Sequence, residues 1–406
     1  MIYRGAHVIP VTGEIIEDGA IAVRGGKIAA VDAFMNMKKE KDEIVRDLRP
    51  LVLMPGLINC HCHLEEGVLR SELDLSPSFT AWYTRVQKYI ADADIRKRFN
   101  AVRLGVLESM YYGTTTIADT AVTGSSFLVL REEKIRSYVF VQFKGLIPWQ
   151  AKAVFGEMES RINLLDWVFP DRLIGLSPQS PYSTSIELYR LALKKVKEKQ
   201  MLFQTHLAEH NEELEMFSSH SGPLYEYSQI QHEMDLKGCT KGSGFFMFKN
   251  NLVPNKCIII HGNYLSADEL ESLAHRKASL VHCAQSHAFF GHKDFPFEAA
   301  VTRGLNIALG TESLASSPTL SIFDDMHCIK QHHPELSSRK ILEFATINGA
   351  RALGIDETVG ALAKGYEADI IGIRIGYQPG DDMYDEIVTG NPQVEFVMIK
   401  GEELIA

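Results

Sequence analysis

Short apolar runs alternate with amphipathic stretches through the middle of the chain. Runs typical of buried strands cover residues 51–58, 115–119, 138–146, 173–177, 201–206, 257–261, 279–283 and 306–310. Between them, apolar residues recur at three- and four-residue spacing, which predicts helices such as those over residues 94–112 and 185–199. This alternation is typical of a parallel sheet covered by helices, and eight strands favour a closed α/β barrel.

An open, doubly wound sheet is the alternative architecture. Such sheets place a glycine-rich, phosphate-binding turn directly after their first strand. In this chain the first apolar run instead leads through Pro55 and Gly56 to histidines at positions 61 and 63. The closed barrel is therefore the favoured interpretation.

Both ends of the chain show a different pattern, with short strands and tight turns. The dipeptides Asp18-Gly19 and Gly25-Gly26 bracket a short apolar run, as in a β-hairpin. Near the other end, residues 368–373 and 394–399 are strand-like. Because chain termini often lie close together, we expect these segments to pair into one small β domain.

A long segment without strand signals covers residues 218–250, which are rich in Ser, Gly and Phe. Connections of this length are uncommon in compact domains. Two interpretations remain open for it: a lid over a binding site or a structural insertion.

The composition is typical of a folded protein that binds small molecules. Apolar residues make up 45% and charged residues 23% of the 406 residues, which excludes disorder and low-complexity architectures. The 42 basic residues are outnumbered by 52 acidic residues, and the net charge of -10 argues against nucleic acid as the main partner. A small-molecule ligand is the remaining expectation.

Cellular location and redox state are inferred from features that the sequence lacks. No apolar run approaches the ~20 residues that cross a bilayer, and the first residues do not resemble a secretory signal. The six cysteines, at positions 60, 62, 239, 257, 283 and 328, show no disulfide framework. We therefore expect a cytoplasmic protein with reduced thiols and no membrane partner. No stripe of residues identifies a subunit interface, so homo-oligomerisation stays open.

The sharpest chemical signal is the pair of histidines at the end of the first apolar run. In a strand, residues i and i+2 face the same way, so His61 and His63 offer two imidazoles to one ion. Two histidines with this spacing can also merely line a surface. The pair alone is therefore weak evidence for a metal site.

Metal-ligand residue types also stand at the ends of three later runs. His206 ends the fifth run, His261 ends the sixth, and Glu312 follows the eighth. In an α/β barrel the carboxyl ends of the strands meet on one face, where catalytic groups gather. Imidazoles and a carboxylate there suit a divalent metal such as zinc or ferrous iron, with a position left for water. Glu209, three residues after His206, is placed to move protons without binding the ion.

Several motifs in order along the chain resemble those of the amidohydrolase superfamily, and within it the cytosine/adenosine deaminase and chlorohydrolase-like branch. They cover residues 54–64, 113–116, 177–182, 206–209, 281–287 and 345–350. Residues 364–369 resemble the point where such chains re-enter a β-sandwich. The resemblance implies a distorted (β/α)8 TIM barrel over residues 54–355. It also implies a small β-sandwich built from residues 1–53 and 356–406.

The resemblance further implies a single metal ion and a role for each residue of the site. Binuclear relatives carry a carboxylated lysine on the fourth barrel strand, whereas residues 173–177 contain no lysine. By matching position, Glu209 is the proton shuttle to a ring nitrogen, and His261 orients the attacking hydroxide. The implied ligands of one divalent ion, zinc first and ferrous iron second, are His61, His63, His206 and Glu312.

Two residues depart from the pattern of the family. The family carries Asp where this chain has Glu312, so the carboxylate that contacts the metal and accepts the proton of the water is longer by one methylene. A misplacement of about 1 Å costs about a hundredfold in rate. The family also carries a histidine in the substrate pocket where Gln179 stands, which replaces a titratable contact with a neutral amide.

The implied activity is hydrolytic release of ammonia from an adenine-type nucleoside. Residues 206–209, followed by a stretch rich in glutamate over residues 212–215, resemble deaminases of such nucleosides, and residues 286–292 resemble aminodeoxyfutalosine deaminases. Aminodeoxyfutalosine is therefore favoured over adenosine, S-adenosylhomocysteine and other aminopurines. The expected substrate contacts are Gln179, Trp82, Tyr182, His287 and Phe289, although aromatic residues are more often part of a core.

Two other functions remain open at this stage. The same site can act on a different leaving group, as in chlorohydrolases of triazines or hydrolases of cyclic amides. Alternatively, Glu312 and Gln179 mark a barrel that binds a metal or a nucleoside without turnover.

Overall fold

A computed structural model shows the architecture of the chain. It describes residues 1–405 except residues 71, 73–77, 169–172, 232–235, 237–238 and 379. The described strands are β1 (Ile2–Arg4), β2 (His7–Val8), β3 (Ile16–Glu17), β4 (Gly19–Arg24), β5 (Lys27–Ala33), β6 (Val45–Asp47), β7 (Val52–Pro55), β8 (Leu57–Cys62), β9 (Thr114–Ala121), β10 (Arg136–Phe143), β11 (Leu173–Pro178), β12 (Gln204–Leu207), β13 (Ile258–His261), β14 (Ser279–His282), β15 (Asn306–Leu309), β16 (Ile370–Arg374), β17 (Gln393–Ile399) and β18 (Glu402–Ile405).

Helices separate most of the strands in the middle of the chain. They are α1 (Phe79–Asp92), α2 (Ile95–Tyr111), α3 (Ser125–Glu132), α4 (Ala151–Val168), α5 (Ile186–Lys199), α6 (Asn211–Ser219), α7 (Pro223–Gln231), α8 (Ser243–Lys249), α9 (Ala267–His275), α10 (Ala284–Phe289), α11 (Phe297–Thr302), α12 (Ile322–His332), α13 (Ser338–Phe344), α14 (Ile347–Ala352) and α15 (Met383–Thr389).

Parallel strands form a closed barrel from two four-stranded halves. One half has the order β11-β10-β9-β8 and the other has the order β12-β13-β14-β15. Leu176 pairs with Phe203 at one seam between the halves, and Cys62 pairs with Glu312 at the other. All residues of β9 and β13 are buried, as expected for parallel strands covered on both faces. The α/β barrel predicted from the sequence is therefore confirmed.

The helices begin where the sequence provides caps. The side chain of Asp94 accepts a hydrogen bond from Arg96 N at 2.7 Å, at the start of α2. Ser185 Oγ accepts one from Leu188 N at 3.3 Å, at the start of α5. Each cap satisfies an N–H group that has no partner inside its helix. The helices predicted over residues 94–112 and 185–199 are confirmed.

The single strand predicted over residues 51–58 was wrong, because two strands share this apolar run. β7 belongs to a terminal sheet, whereas β8 starts the barrel. Gly56 separates them and donates its N–H to Asp369 O at 3.0 Å. A Cβ at this position would lie 2.1 Å from Thr115 Oγ1, so only glycine allows the close approach. Both strands are buried, and no polar residue marks the boundary.

The two ends of the chain supply two further sheets. One has the order β5-β4-β1-β6, and the other has the order β18-β17-β16-β7-β2-β3. Ile21 and Ile28 from the first sheet share a buried cluster with Leu53, Ile370 and Phe396 from the second. The predicted small β unit built from both ends is thus present. The exact division at residues 53/54 and 355/356 stays a prediction.

The segment over residues 218–250 holds two helices in its described part, α7 and α8. Residues 232–235 and 237–238 of this segment lie outside the described residues. The lid and the insertion both remain open interpretations. No helix in the described part of the chain is long and apolar enough to cross a membrane.

Candidate metal centre and active site

The predicted ligand residues lie together at the carboxyl ends of three barrel strands. His61 is the penultimate residue of β8, and His63 directly follows this strand. His206 lies in β12, and Glu312 is the third residue after β15. One ligand atom from each of the four side chains can be chosen so that all four lie within 4.8 Å of one another. The strand ends therefore bring together residues that are up to 251 positions apart in the sequence.

The distances between the ligand atoms fit a small divalent ion. Ligands about 2.1 Å from a tetrahedral ion lie roughly 3.4 Å from one another. His63 Nε2 lies 3.4 Å from His206 Nε2 and 3.5 Å from Glu312 Oε1. His206 Nε2 lies 3.9 Å from the same oxygen. His61 Nε2 lies 3.0 Å from Glu312 Oε2. The spacing and the donor set suit zinc or ferrous iron.

Buried atoms without hydrogen-bond partners support the same conclusion. His61 Nε2 and Glu312 Oε2 are buried, and neither has a hydrogen bond of acceptable geometry. Burial lowers the pKa of His61 to about 4 and that of His206 well below its usual value, so both imidazoles are neutral. Neutral imidazole is the form that binds metal. Unsatisfied buried groups are rare in proteins, and an ion would satisfy these.

Polar contacts of the Nδ1 atoms orient two histidine rings of the ligand set. His206 Nδ1 donates a hydrogen bond to the carbonyl oxygen of Gln179 at 2.9 Å. His61 Nδ1 lies 3.2 Å from Thr120 Oγ1, and that oxygen accepts a hydrogen bond from Gln204 Nε2 at 2.6 Å. Contacts of this kind fix the ring orientation and leave Nε2 available to a metal.

Three residues at this face have left-handed backbone conformations, although none is glycine. Ala208, His261 and Glu312 have φ angles of 51°, 68° and 56°. Such conformations are uncommon for residues with a Cβ and concentrate at functional sites. Ala208 follows β12, His261 ends β13, and Glu312 follows β15. In this conformation Glu312, despite its extra methylene, places its carboxylate within the ligand set.

Glu209 and His261 lie beside the ligand set rather than within the four-atom group. His261 Nε2 lies 3.6 Å from Glu209 Oε1 and 3.4 Å from Glu312 Oε2. Burial raises the pKa of Glu209 to about 7. Burial lowers the pKa of His261, but the two carboxylates outweigh this effect and raise it to about 8. Both groups therefore have pKa values suited to proton transfer near neutral pH.

Two of the predicted substrate contacts lie directly around Glu209 and the ligand set. Tyr182 donates its hydroxyl hydrogen to Glu209 Oε2 at 3.2 Å. Gln179 provides the carbonyl that holds His206, and its Oε1 accepts a hydrogen bond from the Tyr83 hydroxyl at 2.9 Å. Tyr83 was not among the site residues predicted from the sequence. Its position next to Trp82, in an aromatic stretch that opens α1, was the available signal.

The remaining predicted contacts form an aromatic wall and a link to Glu209. The ring centroids of Trp82 and Phe289 are 6.5 Å apart, and Trp82 Nε1 is buried without a hydrogen-bond partner. His287 Nδ1 lies 3.1 Å from Asn263 Oδ1 and donates to it, because Asn263 Nδ2 donates to Glu209 O at 2.9 Å. His287 therefore connects to Glu209 through Asn263, a residue for which the sequence pattern had no signal.

The comparisons with known proteins agree with this architecture. A model of the amidohydrolase family matches residues 52–404. A 5-methylthioadenosine/S-adenosylhomocysteine deaminase from Pyrococcus horikoshii is 27% identical over 376 residues, which cover 87% of this chain and 81% of that protein.

Two solved structures share the whole fold at low sequence identity. An adenosine deaminase from Xanthomonas campestris with bound zinc has a TM-score of 0.87 and 22% identity, and the match covers 100% of this chain and 92% of that chain. The aminofutalosine deaminase of Helicobacter pylori, in complex with methylthio-coformycin, has a TM-score of 0.87 and 21% identity, and the match covers 100% of both chains.

Proposed function

The chain belongs to the amidohydrolase family, and on this basis we propose that it is a metal-dependent deaminase that releases ammonia from an adenine-type nucleoside. The observation that carries the proposal is the position of Glu209. This buried carboxyl group lies beside a set of four metal-ligand atoms and does not belong to it. A hydrolase of this kind needs a group that lies next to the ion and moves protons but does not itself bind the ion.

The residues proposed to hold the metal are His61, His63, His206 and Glu312. A zinc ion there would lower the pKa of a bound water toward neutrality and supply hydroxide at neutral pH. Zinc is proposed first because the similar adenosine deaminase contains it, and ferrous iron fits the same donors. All four side chains are buried, which excludes bulk water from the reacting atoms.

Glu209 is proposed to protonate a ring nitrogen of the base. Burial raises the pKa of this carboxyl group to about 7, which favours the protonated form that can donate to the ring nitrogen. The Tyr182 hydroxyl holds Oε2 of this carboxyl group at 3.2 Å. Protonation of the ring nitrogen draws electrons away from the carbon that bears the amino group. That carbon then accepts a nucleophile more readily.

His261 is proposed to orient the attacking water, and Glu312 is proposed to accept its proton. His261 Nε2 lies between carboxylate oxygens of Glu209 and Glu312, at 3.6 and 3.4 Å. Glu312 Oε1 lies near His63 Nε2, and its Oε2 lies near both His61 Nε2 and His261 Nε2, so this carboxylate borders the ligand atoms and His261 together. The proton accepted there is returned to the amino group, which leaves as ammonia.

The favoured substrate is aminodeoxyfutalosine, with adenosine, S-adenosylhomocysteine and other aminopurines next. The names of the similar proteins support a purine nucleoside, and one of them is an aminofutalosine deaminase. The polar and aromatic surroundings of Glu209 suit a heteroaromatic base. The residues proposed to contact the substrate are Gln179, Trp82, Tyr182, His287 and Phe289.

The deciding experiment measures metal content and ammonia release on the same preparation. The protein is purified without added metal and incubated with adenosine, S-adenosylhomocysteine and aminodeoxyfutalosine. We expect about one metal ion per chain and ammonia from at least one nucleoside, with the highest kcat/KM for aminodeoxyfutalosine. Metal without ammonia would overturn the deaminase assignment, and a triazine and a cyclic amide then test the other leaving groups. Absence of metal even after reconstitution would overturn the mechanism.

A further inference from the structure

The turn that carries Glu209 has an unfavourable backbone conformation. Ala208, directly before Glu209, has a φ angle of 51° and is buried. Residues with a Cβ adopt this conformation only when surrounding contacts over-determine it. The turn leads from β12 into α6, and its geometry decides where the Glu209 side chain lies. The N–H and C=O groups of this turn are held by other parts of the chain.

Glu213, in the first turns of α6, holds two successive N–H groups. Its Oε1 accepts a hydrogen bond from Ala208 N at 2.9 Å, and its Oε2 accepts one from Glu209 N at 2.8 Å. The side chain is fully buried. A carboxylate has two acceptor oxygens and therefore fits two adjacent N–H donors. A glutamine has one acceptor oxygen and an NH2 group, so it must lose one of these bonds.

The carbonyl groups of the same turn are held from the opposite side. Ala208 O accepts a hydrogen bond from Tyr264 N at 3.0 Å, and Glu209 O accepts one from Asn263 Nδ2 at 2.9 Å. Both of these donors come from the segment that follows β13. The turn is thus fastened between that segment and the Glu213 carboxylate. In this position Glu209 Oε1 lies 3.6 Å from His261 Nε2.

We propose that Glu213 is a positioning residue, whose carboxylate holds the left-handed turn at Ala208 and thereby aims Glu209 at the reacting base. The inference rests on the proposed role of Glu209. Other buried glutamates, among them Glu212 and Glu269, bind backbone N–H groups away from this turn. Glu212 accepts from Phe79 N and Thr80 N at the start of α1, and Glu269 accepts from Ser266 N in the cap of α9. Only Glu213 among these three binds the backbone of the proton-transferring residue.

The test compares Glu213→Gln with Glu269→Gln in the metal-loaded enzyme. For Glu213→Gln we expect kcat about a hundredfold lower, with KM and metal content unchanged, because a misplacement of about 1 Å has an effect of this size. Glu269→Gln makes the same chemical change in a buried glutamate that binds a single backbone N–H group, in the cap of α9. Glutamine keeps one acceptor oxygen for that group, so we expect this variant to keep kcat. A Glu213→Gln enzyme with wild-type kcat would overturn the proposal, as would a kcat loss explained by lost metal.

A rescue variant distinguishes positioning from a general loss of stability. Glycine adopts the left-handed conformation without a steric penalty. The double variant Ala208→Gly with Glu213→Gln is therefore expected to recover part of the kcat that Glu213→Gln loses. A double variant no better than Glu213→Gln would overturn the claim that the carboxylate acts through the turn. If Glu213→Gln does not fold, Glu213→Asp, which keeps both acceptor oxygens on a shorter side chain, replaces it and is expected to lose less activity.

Amide hydrogen exchange tests the same inference without any substrate. In the wild-type protein the N–H groups of Ala208 and Glu209 are expected to exchange slowly, because the Glu213 carboxylate binds both. Glu213→Gln is expected to speed exchange at these two residues, whereas Glu269→Gln leaves it unchanged. If the wild-type enzyme releases no ammonia, the proposed function fails, and exchange alone decides the role of Glu213. Unchanged exchange at Ala208 and Glu209 in Glu213→Gln would overturn the proposed role of Glu213.

Discussion

Two histidine-rich regions of this molecule use the same residue types in different ways. In the ligand set, four buried side chains bring their ligand atoms within 4.8 Å of one another. A second group of histidines lines a cavity of about 120 Å³. In the described part of the chain, no three ligand atoms of that second group come within 4.8 Å. The residues that line the cavity include His282, His287, His292, Asp294, Cys328, His332 and His333.

The difference lies in the elements that hold the side chains. His61 and His206 lie in parallel strands and His63 directly follows one, so the barrel closure itself brings them together. In the cavity, by contrast, His282 packs against the ring of Phe295 at a centroid distance of 4.1 Å, and His332 lies in α12. A high local number of histidines is therefore insufficient for a metal site. Convergence of their nitrogens and contacts that orient the rings are also required.

The largest expected effect comes from removing one ligand. His206→Ala is expected to abolish both metal retention and turnover, because changes to residues that only orient a ligand already weaken metal binding by about 10–100-fold. His332→Ala, which removes an exposed imidazole from the cavity, is the matched control and is expected to keep the metal. Elemental analysis of both purified variants makes the comparison. Equal metal loss in both would show that the two regions do not differ as described.

The next effect concerns proton transfer beside the ligands. Glu209→Gln keeps the size of the side chain but cannot shuttle a proton. We expect kcat to fall by about 10²–10⁴-fold with unchanged metal content, as is typical for loss of a general acid or base. Steady-state kinetics with the best nucleoside, together with elemental analysis, gives both values. Loss of the metal in this variant would instead identify Glu209 as a ligand.

A smaller effect is expected from shortening the carboxylate of the ligand set. Glu312→Asp withdraws the carboxylate from His61 Nε2, which lies 3.0 Å from Glu312 Oε2. The left-handed backbone at residue 312 places the carboxylate of the longer glutamate side chain within the ligand set. The shorter aspartate would leave its carboxylate misplaced, so we expect kcat to be about a hundredfold lower. A higher kcat with unchanged metal content would reveal a site weakened by its glutamate, and would support the interpretation of a barrel that binds without turnover.

The smallest effect is one of stability, away from the ligand set. Burial raises the pKa of Asp325, on α12, to about 7, although Gln285 N and Nε2 donate hydrogen bonds to it at 3.1 and 2.7 Å. Because this folded-state pKa lies above the ordinary Asp value, the stabilisation by Asp325 is complete below about pH 4. It is lost as the pH rises from about 4 to about 7, because the unfolded chain then releases the proton of this carboxyl group while the folded protein keeps it.

Asp325→Asn tests this pH dependence because asparagine carries no charge at any pH. Urea unfolding is measured for the variant and the wild type at about pH 5 and about pH 8. Relative to the wild type, the variant is expected to be more stable at the higher pH by an amount on the order of a few kcal/mol. A difference between the two proteins that does not change with pH would contradict the raised pKa.

Much of the fold could be predicted from the sequence because its signals are local. Buried parallel strands produce continuous apolar runs, and the caps Asp94 and Ser185 mark helix starts. The boundary between β7 and β8 could not be predicted, because both strands are buried and apolar. Only the close contact of Gly56 with Thr115 shows why the chain turns there.

The candidate site, like the fold, could be predicted from the sequence only in part. The pair His61 and His63 has a recognisable spacing, and the other ligand types stand at the ends of apolar runs. Their convergence depends on barrel closure, which joins segments distant in sequence. Asn263 and Glu213 contact the turn of Glu209 through backbone groups, and backbone contacts leave no mark in a sequence pattern.

The sequence by itself determined the type of fold, and it predicted the kinds of ligands and the residue next to them that is proposed to move protons. These properties depend on hydrophobic period, on residue chemistry and on short spacings, all of which are local. Only the tertiary structure decided which histidines bring their nitrogens together in the ligand set and which do not. It also showed that Glu312 reaches the ligand set and that Glu213 holds the turn at Ala208. These outcomes depend on strand register, backbone φ angles and distances of a few ångströms between side chains far apart in sequence, which no local pattern encodes.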